Sequence, residues 1–358
     1  MQKKSGVDIN LGNRSSEIAY GYAIKTFPNR QGKQGAVGSK TNGGFSNLLL
    51  FGNQRIGIGS DGIGTKAELA ERTGIYHTLG YDLVAMVADD LVAVGFEPTN
   101  LSNVIDVDFL DPEIIEHLMK GLSEACNFSG ITITGGEIAE LGNRIGGYGE
   151  KMHFNWSSTA IGVLPDQLKE GIDGSRVQPG QLVFSLKSRG FRSNGFSSVR
   201  RIMQERFGDL WHLEKYDTTQ TWGEVLLTPS LIYAPYITEL VKMGVDLTGV
   251  AHITGGGIFD NFHRVLKVNK LGAQLDHLYE PLPFMKKVQE IGNISNEDAY
   301  LWWNMGNGML FIADEQYQTD ILQKAQQMQY ECRVAGKVSA ESTIQVNFPT
   351  FQLNKKYE

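Results

Sequence analysis

The sequence predicts an α+β protein with two domains, and three observations lead to this fold class. Strand-like and helix-like segments occur in both halves of the chain, but they lack the strict alternation of a doubly wound parallel sheet. With 358 residues, the chain exceeds the size that one hydrophobic core normally serves. A polar stretch rich in turn-forming residues, 165–180, separates the halves. We therefore expect an N-terminal domain over residues 1–170 and a C-terminal domain over residues 171–358.

The first predicted elements are two strands and a capped helix in the N-terminal half. Residues 55–60 alternate weakly in polarity and predict a strand that enters a glycine-containing turn. Asp111-Pro112 is typical of a helix cap followed by its first turn, and predicts a helix over residues 111–126. The β-branched run ITIT, 131–134, predicts a second strand, which runs into two glycines.

A further helix is predicted over residues 82–95, with one apolar face and one acidic face. At about 100° per residue, the leucines and valines of this segment fall on one side. Asp82 and Asp89 share the opposite side, and Asp90 lies on the flank. Two interpretations remain open, a solvated acidic face and an acidic cluster that faces a binding site.

The C-terminal half predicts a second set of strands and helices. A strand at 181–186 leads through SRGFRSNG into a helix that we expect to bury Phe196, Val199, Met203 and Phe207. The remaining predicted elements are a strand at 250–253, a helix from TGGG to Leu266, a strand at 309–313, a helix near 315–328 and a final strand.

Composition and charge exclude several classes of protein. The hydrophobic content of 41% indicates a packed globular chain, and the net charge of −7 argues against a general nucleic-acid binder. Cys126 and Cys332 have no metal-like spacing, which favours a reducing compartment without a zinc site. The first ten residues lack the apolar run of a signal peptide, and no stretch reaches transmembrane length. We expect a cytoplasmic protein with neither nucleic acid nor membrane as a partner.

The stretch SDGIGTK, residues 60–66, combines the groups that a magnesium-bound phosphate requires. It supplies a carboxylate, two glycines that open the backbone, a hydroxyl and an ammonium, namely Asp61, Gly62, Gly64, Thr65 and Lys66. The glycine spacing and the position of the lysine differ from those of a Walker A motif. An ordinary tight turn explains the same residues, so this stretch alone leaves both interpretations open.

Two other glycine-rich stretches precede or follow predicted strands in the N-terminal half. TNGGFSN, 41–47, is a second candidate phosphate loop, although Asn-Gly is also a strong hairpin signal. Gly135-Gly136 places Glu137 directly after a predicted strand. Magnesium is usually held by a few carboxylates together with phosphate oxygens and water, so Asp61, Glu137 and the acidic helix suit a nucleoside triphosphate site.

Two helix starts in the C-terminal half resemble anion sites. SNG, 193–195, opens a helix and has Arg189, Arg192, Arg200 and Arg201 nearby, which suits a monophosphate. A helix cap beside a solvated basic face is the alternative. TGGG, 254–257, repeats the pattern, and its neighbour His252 is either a site residue or a structural histidine.

Nine stretches in this order resemble the aminoimidazole ribonucleotide synthetase family, the phosphoribosylformylglycinamidine cyclo-ligases. They extend from residue 6 to about residue 310 and are SGVDINLGN, the GGF loop, SDGIGTK, GYDLVAMVADDLVAVGFEP, TGGEIAE, SRGFRSNGFSSVR, LLTPSLIY, HITGGGIFDNFHRVL and NMGNGM. The resemblance implies a homodimer whose N-terminal domains pair into a β-barrel, each followed by a C-terminal α/β sandwich. It also implies an ATP-dependent ring closure in purine biosynthesis, in which phosphorylation of the formyl oxygen of formylglycinamidine ribonucleotide allows nitrogen attack.

The resemblance assigns roles residue by residue. It implies catalytic roles for Asp61, Lys66 and Asp82. It implies ATP contacts from Gly43, Gly44, Phe45, Asp61, Gly62, Gly64, Thr65, Lys66 and Asp82. It implies contacts to the substrate phosphate and ribose from Arg192, Ser193, Asn194, Gly195, Thr254, Gly255 and Gly256, and Mg²⁺ ligation by Asp61, Asp90 and Glu137.

The chain departs from the family pattern at three places. Arg192 stands where the family usually has histidine, Asp89 stands where it usually has asparagine, and residues 142–158 differ from the expected pattern. These departures keep two alternatives open. One is a small-molecule kinase of the same superfamily, similar to thiamine-monophosphate kinase, or a selenophosphate-synthetase-like enzyme. The other is a nucleotide-binding subunit without catalysis.

Overall fold

The computed structural model describes residues 9–38, 47–193 and 195–357. In this part of the chain, the strands form two separate sheets. The strands of the first sheet are β1 (Ala36–Val37), β2 (Asn47–Phe51), β3 (Gln54–Gly62), β4 (Glu97–Val107), β5 (Thr132–Glu140) and β6 (Phe154–Val163). The helices of the same half are α1 (Ile9–Ile24), α2 (Lys66–Thr73), α3 (Leu79–Ala93) and α4 (Pro112–Ser129), with 3-10 turns at Phe27–Arg30 and Gly142–Arg144.

The C-terminal half contains the second sheet and the remaining helices. Its strands are β7 (Leu182–Lys187), β8 (Gly249–His252), β9 (Gly272–Leu275), β10 (Asn307–Ala313), β11 (Cys332–Ser339), β12 (Thr343–Phe348) and β13 (Phe351–Lys356). Its helices are α5 (Phe196–Phe207), α6 (Trp222–Leu226), α7 (Ala234–Lys242), α8 (Gly257–Leu266), α9 (Pro283–Ile291), α10 (Asn296–Trp302) and α11 (Gln318–Gln327). Short 3-10 turns lie at Trp211–Leu213, Lys267–Asn269 and Glu315–Tyr317.

Both sheets are mixed, which confirms the predicted α+β class. The first has the order β1-β2-β3-β6-β4-β5, and only the β4–β5 pair is parallel. The second has the order β13-β12-β9-β11-β7-β10-β8, and only β9–β12 is parallel. The strands described here form no closed barrel within one protomer. The division at residue 170 remains a prediction, although it falls between the last strand of one sheet and the first of the other.

Most predicted elements occur close to their predicted bounds. The cap of α4 is confirmed, since a side-chain oxygen of Asp111 accepts hydrogen bonds from Glu113 N at 3.0 Å and Ile114 N at 3.3 Å. One boundary is wrong. The strand predicted at 131–134 continues through both glycines to Glu140, because parallel pairing with β4 extends along this whole stretch.

Helix α3 packs on both halves of the molecule. Its apolar side chains contact β3, β4 and β6, whereas its acidic side faces β8 and α7 of the C-terminal half. The Asp82 and Asp89 side chains are fully buried. A solvated acidic face is therefore excluded, and the acidic side of this helix is an interface between the two sheets. Among the described helices, none is long and apolar enough to span a membrane.

Candidate functional site

The SDGIGTK stretch forms a strand, a turn and a helix start. Strand β3 ends at Gly62, Gly64 adopts the left-handed φ of 55°, and α2 begins at Lys66. A methyl group on Gly62 would lie 2.9 Å from the Trp156 carbonyl oxygen, and one on Gly64 would meet open space. The first glycine therefore allows close strand packing, while the second permits the turn. Asp61 lies beside that turn and accepts a 2.7 Å hydrogen bond from Gly62 N.

Lys66 and Asp82 form a buried ion pair between the two halves. The Lys66 ammonium lies 2.8 Å from one Asp82 oxygen and donates to the Thr228 carbonyl at 2.9 Å. Asp82 also accepts hydrogen bonds from the backbone and hydroxyl of Ser230. Burial lowers the pKa of Lys66, and the Asp82 carboxylate opposes that shift. The structure thus brings two predicted catalytic residues together and adds the 228–230 loop, which sequence reasoning missed.

A second buried ion pair joins Arg192 to Asp89. The guanidinium lies 2.6 Å from one Asp89 oxygen, and both side chains are at most 1% exposed. The other Asp89 oxygen accepts hydrogen bonds from Tyr233 N and Ala234 N at 2.8 and 2.9 Å. Burial raises the pKa of Asp89, and the Arg192 guanidinium opposes that shift. The guanidinium faces Asp89 and not an open site, an arrangement that does not support the predicted contact between Arg192 and a substrate.

Asp90 and His252 form the third polar contact of α3 with the C-terminal half. Nδ1 of His252 lies 2.8 Å from Oδ1 of Asp90. Burial, followed by the effect of Arg192, lowers the pKa of His252 to about 3. Burial also raises the pKa of Asp90 to about 7, against the opposing effect of Arg264. His252 is therefore a buried neutral side chain that contacts a predicted metal ligand.

The SNG and TGGG turns lie against the same short segment of backbone. A methyl group on Gly195 would lie 2.6 Å from the Trp302 carbonyl oxygen, and one on Gly257 would lie 2.0 Å from that of Tyr300. Because Tyr300 and Trp302 both belong to α10, the starts of α5 and α8 both pack against the C-terminal end of that helix. Both turns also require left-handed backbone, at Gly195 and at Gly256-Gly257.

Buried polar side chains lie in or beside the turns that precede α5 and α8. Ser193 is 2% exposed, and its Oγ has no hydrogen-bond partner among the described residues. Thr254 is also buried, and Asn261 holds the TGGG turn by donating to the carbonyls of Gly255 and Gly257. A buried hydroxyl without a partner, directly before the N-terminus of α5, suits an anion site.

Arg200 and Arg201, on helix α5, have acidic partners, whereas Arg189 is exposed. Arg200 pairs with Glu68 at 2.6 Å, and Arg201 pairs with Glu205 at 3.0 Å. The basic residues of this helix are therefore partly exposed and paired with acids, which leaves the solvated face as an interpretation for them.

The three predicted metal ligands do not meet within one protomer. Asp61, Ser158, Asn103 and Gly136 form one row across the first sheet, so Asp61 and β5 are three strand spacings apart, about 14 Å. Glu137 belongs to the next row, and successive residues of a strand point to opposite faces. Among the described residues, no group of three metal-ligating side chains comes together. These residues do not fit a magnesium site by themselves, and the metal assignments stay predictions.

Four predicted site residues fall outside the described residues, namely Gly43, Gly44, Phe45 and Asn194. Sequence reasoning missed the 228–234 segment as the partner of α3, although LLTPSLIY had been singled out for its resemblance. Only the three-dimensional structure reveals that its backbone N–H groups bind Asp82 and Asp89.

Comparison with known families agrees with the resemblance in both halves. Residues 47–164 match the model of the AIR synthase related protein N-terminal domain, and residues 178–348 match that of the C-terminal domain. The phosphoribosylformylglycinamidine cyclo-ligase of Carboxydothermus hydrogenoformans is 34% identical over 305 residues, which cover 83% of this chain and 86% of the relative. The enzyme of the same name from Shouchella clausii is 31% identical, over 96% of this chain and 97% of the relative.

Solved structures with low sequence identity share the fold. Thiamine-monophosphate kinase from Stenotrophomonas maltophilia K279a is 14% identical, with a TM-score of 0.62 over 90% of this chain and 95% of the kinase. AaThiL complexed with AMPPCP and TMP is 15% identical, with a TM-score of 0.59 over 86% and 88% of the two chains. Such identities establish the fold alone, whereas the family follows from the domain matches and the closer relatives. The chain belongs to the phosphoribosylformylglycinamidine cyclo-ligase family of AIR synthase related proteins.

Proposed function

We propose that the chain catalyses the ATP-dependent ring closure of formylglycinamidine ribonucleotide to aminoimidazole ribonucleotide in purine biosynthesis. Relatives with this name match at 31–34% identity over most of both chains, and both domains of the family are present. The proposal includes the cytoplasm as its location, in keeping with this pathway.

The packing of Gly195 and Gly257, at the starts of α5 and α8, against the end of α10 is the observation that carries the proposal. A ribonucleotide presents one phosphate monoester, and two glycine-led helix N-termini with a buried, unsatisfied Ser193 hydroxyl offer donors for it. We assign the phosphate and ribose end of the substrate to Ser193, Asn194, Gly195, Thr254, Gly255 and Gly256. Arg192, which is buried and paired with Asp89, is proposed to hold in place the turn that carries these residues.

ATP is proposed to bind beside the SDGIGTK turn, at the end of the substrate that does not carry the ribose phosphate. The turn offers the Asp61 carboxylate and the backbone of Gly62 and Gly64, with Thr65 at the start of α2. The AMPPCP complex of AaThiL, which shares this fold, supports a nucleotide triphosphate site. Gly43, Gly44 and Phe45 complete the proposed ATP set. We assign Mg²⁺ to the nucleotide, as the Mg–ATP substrate, because the described acids do not form an ion site of their own.

The proposed reaction has two steps, a phosphoryl transfer and a ring closure. The formyl oxygen attacks the γ-phosphorus, its bond to phosphorus forms, and ADP leaves. A substrate nitrogen then attacks the activated formyl carbon, the carbon–oxygen bond breaks, and inorganic phosphate leaves with a proton released. The protein contributes mainly positioning and charge neutralisation. In the arrangement described, Lys66 and Asp82 hold the SDGIGTK turn against the 228–230 loop, while direct contact with ATP remains their proposed catalytic role.

We also propose that the protein is a homodimer formed through the first sheet, whose pairing completes a β-barrel. Strand β5 is an edge strand that is exposed along nearly its whole length. Val104, Ile133, Ile138 and Ile161 of this sheet are 38–41% exposed. By the strand register, Val104 and Ile161 lie on one face of the sheet and Ile133 and Ile138 on the other. An uncovered edge strand that carries exposed apolar side chains favours pairing with a second sheet.

The test is incubation of the purified protein with formylglycinamidine ribonucleotide, ATP and Mg²⁺, with products followed by mass spectrometry. The proposal expects ADP and aminoimidazole ribonucleotide in equal amounts. A phosphorylated but uncyclised product would favour the kinase alternative. Nucleotide binding without any substrate-dependent ADP release would favour the non-catalytic subunit.

A further inference from the structure

We propose that the buried Arg192–Asp89 pair is a positioning device for the ribonucleotide phosphate. In this proposal, Arg192 does not contact the substrate. It holds the turn that carries Ser193 and the N-terminus of α5 against helix α3. The identity of the ligand rests on the function proposed above, whereas the mechanical role of the pair rests on its contacts.

The contacts of Asp89 tie three segments of the chain together. One carboxylate oxygen binds the Arg192 guanidinium, and the other accepts the backbone N–H groups of Tyr233 and Ala234. The same guanidinium donates to the Leu231 carbonyl at 2.9 Å and reaches the Ala85 carbonyl at 3.4 Å. One ion pair therefore joins α3, the 228–234 segment and the turn before α5.

The backbone of Arg192 transmits this anchoring to the candidate anion site. Arg192 has a φ of 62°, a left-handed conformation that is uncommon for a residue with a side chain. Ser193, with its unsatisfied Oγ, is the next residue, and the cap of α5 follows at Gly195. Because a side chain anchored on both sides fixes the backbone at residue 192, it also fixes the direction in which Ser193 and the helix start point.

The environment of the guanidinium argues against a direct role in substrate binding. The side chain is 1% exposed, and its guanidinium carbon lies 5.1 Å from the centre of the Tyr233 ring. By the resemblance stated above, Asp89 and Arg192 are also two positions at which the chain differs from the expected family pattern. The structure shows that these departures meet in one contact. A single change leaves a buried charge without its partner, whereas changing both removes the two charges together.

The experiment compares D89N, R192H and R192K with the double variant D89N/R192H. The matched control is D246N, which removes the acid of the exposed Arg176–Asp246 pair. Calorimetry measures the Kd of ribose 5-phosphate, as a probe of the phosphate end, and the Kd of AMPPCP with Mg²⁺. The KM for formylglycinamidine ribonucleotide is measured in parallel.

We expect D89N and R192H each to weaken ribose 5-phosphate binding by about tenfold or more, with AMPPCP binding changed less than about twofold. The double variant should recover most of the loss, and R192K should lie between the wild type and R192H. D246N should bind both probes as the wild type does. KM should follow the ribose 5-phosphate Kd.

Three results would overturn the inference. Equal weakening of both probes would indicate a purely structural role. Single variants that bind ribose 5-phosphate like D246N would show that the pair positions nothing. A double variant no better than R192H would indicate that Arg192 contacts the ligand directly. If D89N or R192H fails to fold, R192K and the double variant still separate these outcomes.

The experiment separates this inference from the proposed function. A wild-type protein that binds ribose 5-phosphate but does not cyclise formylglycinamidine ribonucleotide contradicts the function and leaves the positioning role intact. A wild-type protein that does not bind ribose 5-phosphate contradicts the anion site and therefore the inference.

Discussion

Replacing Asp82 by asparagine is expected to destabilise the protein strongly, because Asp82 is the acidic partner of a fully buried lysine. The Asp82 side chain is 0% exposed and that of Lys66 is 1% exposed, so solvent does not screen the pair. Removing one partner of such a pair costs about 3–5 kcal/mol. For 358 residues, the entropy of unfolding is roughly 0.75 kcal/mol per kelvin, which converts this cost to a Tm decrease of about 4–7 °C.

The loss of stability caused by D82N should also depend on pH, and its direction follows from the pKa of Lys66. Burial lowers the pKa of Lys66, and Asp82 opposes that shift, so D82N should lower this pKa further. At pH values between the lowered pKa of Lys66 in the folded protein and its unfolded value of about 10.4, the unfolded state binds more protons than the folded state. The stability of D82N should therefore rise with pH towards 10, and its deficit relative to the wild type should shrink.

Thermal unfolding followed by circular dichroism between pH 6 and 9 measures both effects. The control is E331Q, which removes the acid of the Lys187–Glu331 pair, with side chains 32% and 64% exposed. An exposed pair contributes about 0–1 kcal/mol, so this variant should unfold within about 1 °C of the wild type. A D82N protein that behaves like E331Q at every pH would refute the reasoning.

Three further predictions concern the proposed site and the dimer. Asp61→Asn should lower kcat by about a hundredfold, because it removes a carboxylate from the proposed phosphate site. Its Tm should stay within about 2 °C of that of the wild type, because Asp61 is partly exposed. Unchanged turnover would remove Asp61 from the mechanism. Gly257→Ala should weaken ribose 5-phosphate binding by about tenfold in calorimetry, since its methyl group would lie 2.0 Å from the Tyr300 carbonyl at a φ of 59°. Wild-type affinity would contradict a role of the TGGG turn in binding the phosphate. Ile161→Lys should shift the protein from dimer to monomer in light scattering, because it places a charge on the uncovered face of the first sheet; an unchanged dimer would exclude this face as the interface.

Short sequence patterns correctly predicted the helices and turns that depend only on neighbouring residues. The spacing of apolar residues located α3, the Asp111-Pro112 pair located the start of α4, and the glycines of SDGIGTK located the turn between β3 and α2. Each of these depends on residues within one or two turns of chain. The chain length and the polar stretch at 165–180 predicted two domains, and the family resemblance, which is confirmed, matches each half to its own family domain.

The partners of the acidic residues could not be predicted in the same way. Asp82 and Asp89 bind groups that lie 148 and 144 residues further along the chain, and periodicity carries no information at that distance. The pattern of α3 therefore left solvent and a binding site as alternatives, when the acids actually hold the two halves together. Likewise, the GGE stretch reads as a loop after a strand, and only pairing with β4 shows that the strand continues through it.

Side-chain direction was also beyond the sequence. Asp61 and Glu137 follow similar strand-and-glycine patterns, yet alternation along neighbouring rows places them on opposite faces of the sheet. Arg192 precedes a candidate phosphate turn, yet its guanidinium points to a buried carboxylate. Motif order identified the right segments, and the structure was needed to establish which groups face one another.

The most direct test of the proposed function follows the formyl oxygen. Formylglycinamidine ribonucleotide labelled with ¹⁸O at the formyl group is incubated with the protein, ATP and Mg²⁺, and the products are analysed by mass spectrometry. The account predicts aminoimidazole ribonucleotide and ADP in equal amounts, with the ¹⁸O recovered in inorganic phosphate. ADP formed without the cyclised ribonucleotide, or cyclised product with unlabelled phosphate, would contradict it.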